Sequence, residues 1–345
     1  MTQAMVFSHR ALDEGQSMPR SPHRFGHWPT EPTTFEADFL LNGVRHNYSF
    51  SFTDERVTKE ELLVFKSSRP QVWFRRVNDE FEFPGIRFGA FGLRIAQITR
   101  PNSLFVSAGE LLGHPLLTEV VRWAQQIEFI TTDNLYYEPR QPESQIARRI
   151  KDEKARQEFI SLAKFADLGI TDVRPIFKVI ERPGGRASEE AHLVFTHHGS
   201  QEVEFAFSDE SSGTITFFQY ADVISRLRES GGILVVDELD QSLHPDLTHE
   251  LLRLFQDPEL NSPATQIIFS THDISLMDPT LDWPLLRDQV WFTEKSSKGS
   301  TTLTPLLDYK ASARENIEKM YRLGRFGAIP IIDFTALDGH TALRR

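Results

Sequence analysis

The chain contains no cysteine, which excludes disulfides, a thiolate metal centre and a cysteine nucleophile, and suits a reducing compartment. No apolar run approaches the roughly 20 residues that a membrane-spanning helix needs, and no signal-peptide core stands near Met1. Positive charge is also in short supply. The 38 Lys and Arg face 49 Asp and Glu, a formal net charge of −11, so general attraction to nucleic acid or an anionic membrane is not expected, although a local basic groove stays open. These absences lead to the expectation of a soluble, cytoplasmic protein. Its 345 residues suffice for one large domain or two, with ample length to bury a core.

What is present is organised around residues 231–245. The pair Gly231-Gly232 precedes Ile233, Leu234, Val235 and Val236, a short β-branched run suited to a strand buried on both faces of a parallel sheet. The run stops at Asp237-Glu238. Paired carboxylates at the carboxyl end of such a strand stand where open α/β sheets place their ligands, and an acidic residue there commonly holds the Mg²⁺ of a nucleotide. The alternative is a strand that simply exits into solvent. Pro245 suits the first turn of a helix, and Leu247, Leu251, Leu254 and Phe255 recur at helical spacing until Asp257-Pro258. After a loop at 259–264, residues 266–270 read as a second buried strand that ends at Thr271-His272-Asp273. A strand, a helix and a strand of this length make the two strands parallel. Val236 and Phe269 are therefore expected in neighbouring parallel strands, with Asp237, Glu238 and His272 at one edge of the sheet.

Upstream, residues 1–34 carry Pro19, Pro22, Pro29 and Pro32 beside His9, His23 and His27, and are expected to be irregular, beginning with neither a strand nor a helix. From Phe35 the sequence alternates. Asn42-Gly43 is a strong hairpin signal, residues 61–66 and 71–75 suggest a second hairpin, and residues 81–83 continue the antiparallel sheet. Between 104 and 168 the pattern turns helical, with candidates at 111–126 and 146–168. The mixed charge run at 148–154 reads as a solvated helix face or, alternatively, as a nucleic-acid contact. Residues 173–180, 191–197 and 202–207 return to strands, the last two joined by His198-Gly199-Ser200. His192, His197 and His198 lack the spacing of zinc sites and decorate a hairpin. Residues 209–214 then lead into a helix with Phe217, Ala221, Ile224 and Leu227 on one face. Small hydroxyl residues and a glycine at a helix start favour an anion, or serve as an ordinary N-cap.

The order of these pieces is Ser211-Ser212-Gly213-Thr214 plus helix, a strand ending in Asp237-Glu238, Ser242-Leu243-His244-Pro245, and a strand ending in Ser270-Thr271-His272-Asp273. It resembles the ABC-type ATPase heads, in the SMC-like and OLD-like branch of AAA-like ATP-binding proteins that includes the overcoming-lysogenization-defect nucleases and many anti-phage and abortive-infection ATPases. Residues 35–76, a strand at Asp288-Gln289-Val290-Trp291-Phe292 and the tail at 321–330 look like the same family, so the resemblance covers most of the chain. It implies an α/β fold of the P-loop NTPase type, a single ABC-type ATPase head over residues 1–345 that is incomplete at its amino terminus. The implied architecture is a central, mainly parallel sheet with helices, an antiparallel β subdomain at 35–83 and a helical insertion or arm at 104–168. A lobe at 209–345 would carry the signature, Walker B, D-loop and switch-histidine segments.

Residue by residue, the resemblance implies that Asp237 holds Mg²⁺, that Glu238 orients or deprotonates the attacking water, and that His272 senses the γ-phosphate of ATP. Ser211, Ser212 and Gly213 match a signature loop that serves the ATP of a partner head. Ser242 and His244 match the D-loop, where His244 takes the place that transporters give to aspartate. ATP and Mg²⁺ are the implied cofactors. A homodimer or a paired ATPase head, and an effector protein, are the implied partners.

One part of the family pattern is missing. No Gly-x-x-x-x-Gly-Lys-Ser/Thr occurs in the sequence, the loop whose backbone N–H groups and lysine cradle the phosphates. Gly15, Gly26 and Gly43 are isolated. Residues 1–34 look like the stretch that follows that loop, so the expectation is a chain without its first strand, phosphate loop and first helix, through truncation, start-site choice or natural degeneration. Two functions compete: an ATP-hydrolysing motor or switch in an anti-phage or DNA-related complex, and a non-catalytic partner that lends its signature loop or binds an effector. A nuclease has little support, since no clustered acidic motifs of a Toprim domain follow Pro330.

Overall fold

A computed structural model describes residues 1–84, 88–131, 142–182, 186–199, 201–261, 265–310 and 315–329. They fall into two units, Met1–Ser21 with Glu31–His272, and Pro22–Thr30 with Asp273–Arg345.

In the first unit the alternation after Phe35 folds as a five-stranded antiparallel sheet. Its strands, in both spatial and chain order, are β1 (Thr33–Leu41), β2 (Val44–Phe52), β3 (Val57–Phe65), β4 (Gln71–Val77) and β5 (Glu80–Glu82). The first hairpin closes on Asn42 and Gly43, with φ of 50° and 74° and Leu41 opposite Val44, the left-handed pair that a two-residue turn between twisted strands requires. Tyr48, Phe50, Leu62 and Phe74 form one core with side chains of the helices α1 (Thr2–Ala11), α2 (Gly89–Ile98), α3 (Phe105–Leu111) and α4 (Pro115–Gln125). The helix α1 corrects the expectation of an irregular start. The prolines that suggested irregularity begin only at Pro19, whereas Met5, Val6 and Ser8 are buried, and the Ser8 hydroxyl accepts the Leu104 N–H at 3.0 Å.

Glu60 and Arg76 are completely buried at the heart of this half, 3.6 Å apart. Glu60 accepts from Tyr48 Oη at 2.9 Å and from the backbone N–H groups of Phe105 and Val106 at 2.8 and 3.1 Å, so it satisfies the first donors of α3, which have no intrahelical acceptor. Arg76 donates to the carbonyls of Asn78 and Ser103, both at 2.6 Å. One ion pair thus ties β3, β4 and the start of α3 together.

The remaining elements of the first unit are β6 (Ile127–Ile130), α5 (Pro142–Arg149), α6 (Glu153–Phe165), β7 (Ile170–Arg182), β8 (Arg186–His198), β9 (Glu202–Ala206), α7 (Ser212–Ser230), β10 (Ile233–Val236), α8 (Pro245–Gln256) and β11 (Gln266–Phe269). The strands β11, β10 and β6 form a parallel sheet in that order, with Val236 opposite both Phe269 and Ile130. The expected pairing of Val236 with Phe269 is therefore present. The strand β6 lies within the stretch read as helical, four residues being too short to show an alternating pattern.

Burial on both faces is not observed. Leu234 and Val236 are buried, but Ile268 is 60% exposed, so the face of β11 that carries it is uncovered among the described residues. The expected helix at 146–168 is two helices, because Asp152 accepts the Ala155 N–H and caps α6. Gly231-Gly232 makes the turn from α7 into β10. Gly232 has φ +136°, and a Cβ there would stand 2.6 Å from the Gln126 carbonyl oxygen, so no other residue fits without movement. The strands β7, β8 and β9 form an antiparallel sheet on which His192, His197 and His198 lie. Phe195 of β8 packs on Phe218 of α7 with ring centroids 4.9 Å apart.

The second unit contains the antiparallel pair β12 (Trp291–Lys295) and β13 (Thr301–Pro305) and the short helix α9 (Ile317–Arg322). The expected strand at 288–292 begins only at Trp291. Phe292, Leu306 and Phe326 form a small core, with the Phe292 and Phe326 rings stacked at 4.9 Å. Pro330 of the tail, Ser200 of the β8–β9 turn, residues 262–264 of the loop before β11 and residues 132–141 of the helical stretch lie outside the described residues.

Glu60→Ala is expected to destabilise the protein by about 3–5 kcal/mol, the usual result of leaving a buried charge without its partner. Urea unfolding of the variant beside the wild type measures this, and a loss below about 1 kcal/mol would show that the Arg76 carbonyl contacts suffice.

Candidate functional site

The parallel register of β10 and β11 brings the residues after each strand abreast. The ladder runs on past the strand ends: the Ser270 N–H donates to the Val236 carbonyl at 3.0 Å, and the Leu239 N–H to the Ser270 carbonyl at 2.9 Å. The Ser270 hydroxyl donates to Asp237 Oδ1 at 2.6 Å and accepts the Glu238 N–H at 2.9 Å. One turn on, Asp240 Oδ1 accepts from the Thr271 hydroxyl at 2.6 Å and from the His272 N–H at 3.2 Å. The two strand exits are therefore fastened residue by residue. Asp237, Glu238 and His272 stand on one edge, as expected, and Asp237 and His272 are exposed.

Burial pushes the Asp240 carboxyl up, but its hydrogen bonds from the Thr271 hydroxyl and the backbone, together with the charge of His272, outweigh this and hold it below its ordinary value. Buried Tyr220 of α7 is pushed up in turn, first by burial and then by the Asp240 charge. Glu238 has φ +58° and Ser242 φ +62°, so the segment between the sheet and α8 is bracketed by two left-handed residues that are not glycine, conformations that persist only where surrounding contacts hold them.

A second group lies at the starts of α7 and α8. Ser211 caps α7, its hydroxyl accepting the Thr214 N–H at 3.1 Å, so the ordinary cap is present. The N–H groups of Ser212 and Gly213 at the first turn have no intrahelical acceptor. His244 caps α8 through Nδ1, which accepts the Asp246 N–H at 3.3 Å, and Pro245 occupies the first helical position. This gives His244 a definite local role. Ser211, Gly213, Ser242 and His244 line one cleft of about 520 Å³, together with Phe165, Asp246 and Glu250. Ser212 is not among its lining residues. At Gly213 a Cβ would lie 2.8 Å from the Ser242 carbonyl oxygen, so glycine is what allows the α7 loop to touch the segment before α8.

The donor set fits a magnesium ion better than it fits a triphosphate. Mg²⁺ is usually held by one or two carboxylates, with water and phosphate oxygens completing its shell. Asp237 suits that need, since only its Oδ1 is hydrogen-bonded among the described residues. No group of three or more His, Cys, Asp or Glu side chains among the described residues forms a closed metal cage. For the phosphates, the sequence holds no glycine-rich loop with Lys-Ser or Lys-Thr.

Sequence reasoning gave no role to Ser270, Thr271 or Asp240. The signal was in the pattern: a hydroxyl residue directly after the second apolar run sits in register with the carboxylate directly after the first.

Two changes probe this arrangement. A folded-state pKa held down contributes stability that is present above the unfolded value and lost as pH falls through the folded one. Asp240→Asn should therefore lower the melting temperature at neutral pH, and the difference from wild type should shrink below roughly pH 4, the ordinary carboxylate range. A difference that is constant across pH would remove the charge from the account. Gly213→Ala should cost about 1–3 kcal/mol through overpacking and speed hydrogen exchange at the start of α7. A variant as stable as the wild type would show that the Ser242 carbonyl moves aside.

Among solved structures, the SMC head domain from Thermotoga maritima aligns at 15% identity over 87% of this chain and 81% of that one, with a TM-score of 0.36. The SMC head bound to the C-winged helix domain of ScpA aligns at 12% identity over 77% and 76%, with a TM-score of 0.30. Likenesses of this extent carry no argument about the chain. No curated protein matches it. The family model described as "AAA domain, putative AbiEii toxin, Type IV TA system" matches residues 26–278, a span that includes every candidate residue from Ser211 to His272, the parallel sheet and the antiparallel sheets β1–β5 and β7–β9. The chain belongs to this family of AAA-like ATPases.

Proposed function

We propose that the chain is the head of an ATP-dependent switch, in which Asp237 holds Mg²⁺, Glu238 orients or deprotonates the attacking water and His272 contacts the γ-phosphate. The observation that carries this reading is the in-register pairing of Val236 with Phe269, which sets Asp237 and Glu238 beside Ser270, Thr271 and His272 at the carboxyl ends of parallel strands, where open α/β sheets bind ligands. Magnesium, when bound with ATP, would neutralise charge on the phosphates. The protein's own contribution is positional: the Asp237 carboxylate is held by Ser270, and the Glu238 backbone is anchored by the same hydroxyl. Ser211, Ser212 and Gly213, with Ser242 and His244, offer a first-turn helix surface to the nucleotide of a second head, so a homodimer or a paired ATPase head is the natural assembly. The toxin and toxin–antitoxin terms in the family description support a role in anti-phage defence; a cytoplasmic location and an effector protein as partner belong to the same proposal.

A second reading has its own observation. Without a phosphate loop in these residues, the main triphosphate contacts must come from elsewhere, and the chain would then act as a non-catalytic partner that lends its α7 loop or binds an effector.

Calorimetric titration of the lone chain tests what both readings share, and turnover in a completed assembly separates them. The chain by itself should bind Mg·ATP more weakly than micromolar. In an assembly that contains a phosphate loop and turns over ATP, Glu238→Gln should keep Mg·ATP binding while slowing hydrolysis roughly 10²–10⁴-fold, the usual worth of a positioned general base. Asp237→Asn should weaken the metal complex itself. Unchanged turnover in the Glu238 variant would remove its catalytic assignment and favour the non-catalytic partner.

A further inference from the structure

Ser270 stands immediately after β11 and is exposed, as is Asp237. Its hydroxyl makes two hydrogen bonds, and both end on residues of the candidate metal edge. Their chemistry is fully determined. A carboxylate only accepts and an amide N–H only donates, so the single hydroxyl proton goes to Asp237 Oδ1 at 2.6 Å, and a hydroxyl lone pair receives the Glu238 N–H at 2.9 Å. The main chain of Ser270 is itself clamped on both sides, donating to Val236 and accepting from Leu239. The hydroxyl is thus a fixed point to which a carboxylate and a left-handed backbone are both attached.

Two consequences follow for the residues it holds. With Oδ1 engaged, Asp237 presents Oδ2, which makes no other hydrogen bond among the described residues. With its N–H anchored, Glu238 keeps its φ of +58°, which sets the direction in which its side chain leaves the strand.

We infer that Ser270 is a positioning residue: its hydroxyl selects the Asp237 oxygen offered to a divalent cation and fixes the backbone of Glu238. The inference rests on the reading of Asp237 as the metal-holding residue. A hydroxyl partner of this kind acts as the outer-sphere groups of metal sites do, by orienting a ligand that it does not replace. Threonine would retain the hydroxyl, and alanine would remove it.

The test uses the whole chain and Mn²⁺ as the probe, with free metal followed by electron paramagnetic resonance. Ser270→Ala should weaken Mn²⁺ binding by about tenfold or more, while Ser270→Thr stays within about twofold of wild type. Asp237→Asn should abolish the site. Loss of binding in Asp237→Asn with no change in Ser270→Ala would overturn the role of Ser270 and leave the reading of Asp237 standing. Wild-type binding in Asp237→Asn, or no Mn²⁺ binding by the wild type, would instead sink that reading and this inference with it. Equal weakening in the alanine and threonine variants would also overturn it, since the hydroxyl would not be the cause. Exchange of the Glu238 amide, read by mass spectrometry on the peptide that contains it, needs no metal. It should be slow in the wild type and the threonine variant and faster in Ser270→Ala, and equal exchange in all three would rule out the backbone anchor.

Discussion

Val236 lies opposite Phe269 because α8 carries the chain back across the sheet and returns it parallel to β10. A slip of one residue in that pairing would turn every side chain of β11 to the other face and would separate Ser270 from Asp237. The register is held from two directions. Leu234 and Val236 are buried, which fixes the face of β10, and the hydrogen bonds that continue the ladder past Val236 fix its end. The polar residues at the strand exits inherit their geometry from this pairing. That is why two adjacent carboxylates and a histidine more than thirty positions further on stand on one edge.

The antiparallel half supplies the frame against which the parallel sheet is set. Its core reaches into α4 as far as Ala124, and the chain passes directly from α4 into β6, the neighbour of β10. The Gln126 carbonyl between them accepts the Ile233 N–H at 3.2 Å, and Gly232 is the residue that lets the two segments approach so closely. Upstream, the buried Glu60 holds the first N–H groups of α3 while Arg76 holds the loop before it. A buried ion pair is weak evidence for stability in itself. Here its value lies in directing three chain segments to one point, so that the position of α4, and through it of β6, is set from the interior.

Much of this was legible in the amino-acid pattern. Asn42-Gly43 announced its hairpin because the turn demands left-handed residues, and the apolar runs before Asp237 and Ser270 announced parallel strands because a helix stood between them. The misses have equally specific causes. The strand β6 is four residues long and merges with α4 in any periodicity count. The helix α1 was masked by the prolines that follow it. Asp152 divides a helical stretch by capping its second half, which spacing alone does not reveal. Exposure of Ile268 was not foreseen, because an apolar run says that a strand is suited to burial and not that both faces are covered. The roles of Ser270 and Asp240 depend on which residues come abreast in three dimensions, and register is the property a single sequence encodes least directly.

The segment from Asp237 to His244 is short, and every part of it is held. Its first residues are fastened to Ser270, Asp240 is fastened to Thr271 and His272, Ser242 meets Gly213, and His244 caps α8. One end of this segment is the edge that suits a divalent cation, and the other lines the cleft beside the start of α7. The two candidate surfaces are thus parts of one continuous strip of backbone, with left-handed residues at Glu238 and Ser242. Contact alone does not establish energetic coupling between sites, but it shows what joins the two surfaces, and the bonds of Asp240 to Thr271 and His272 stand between them.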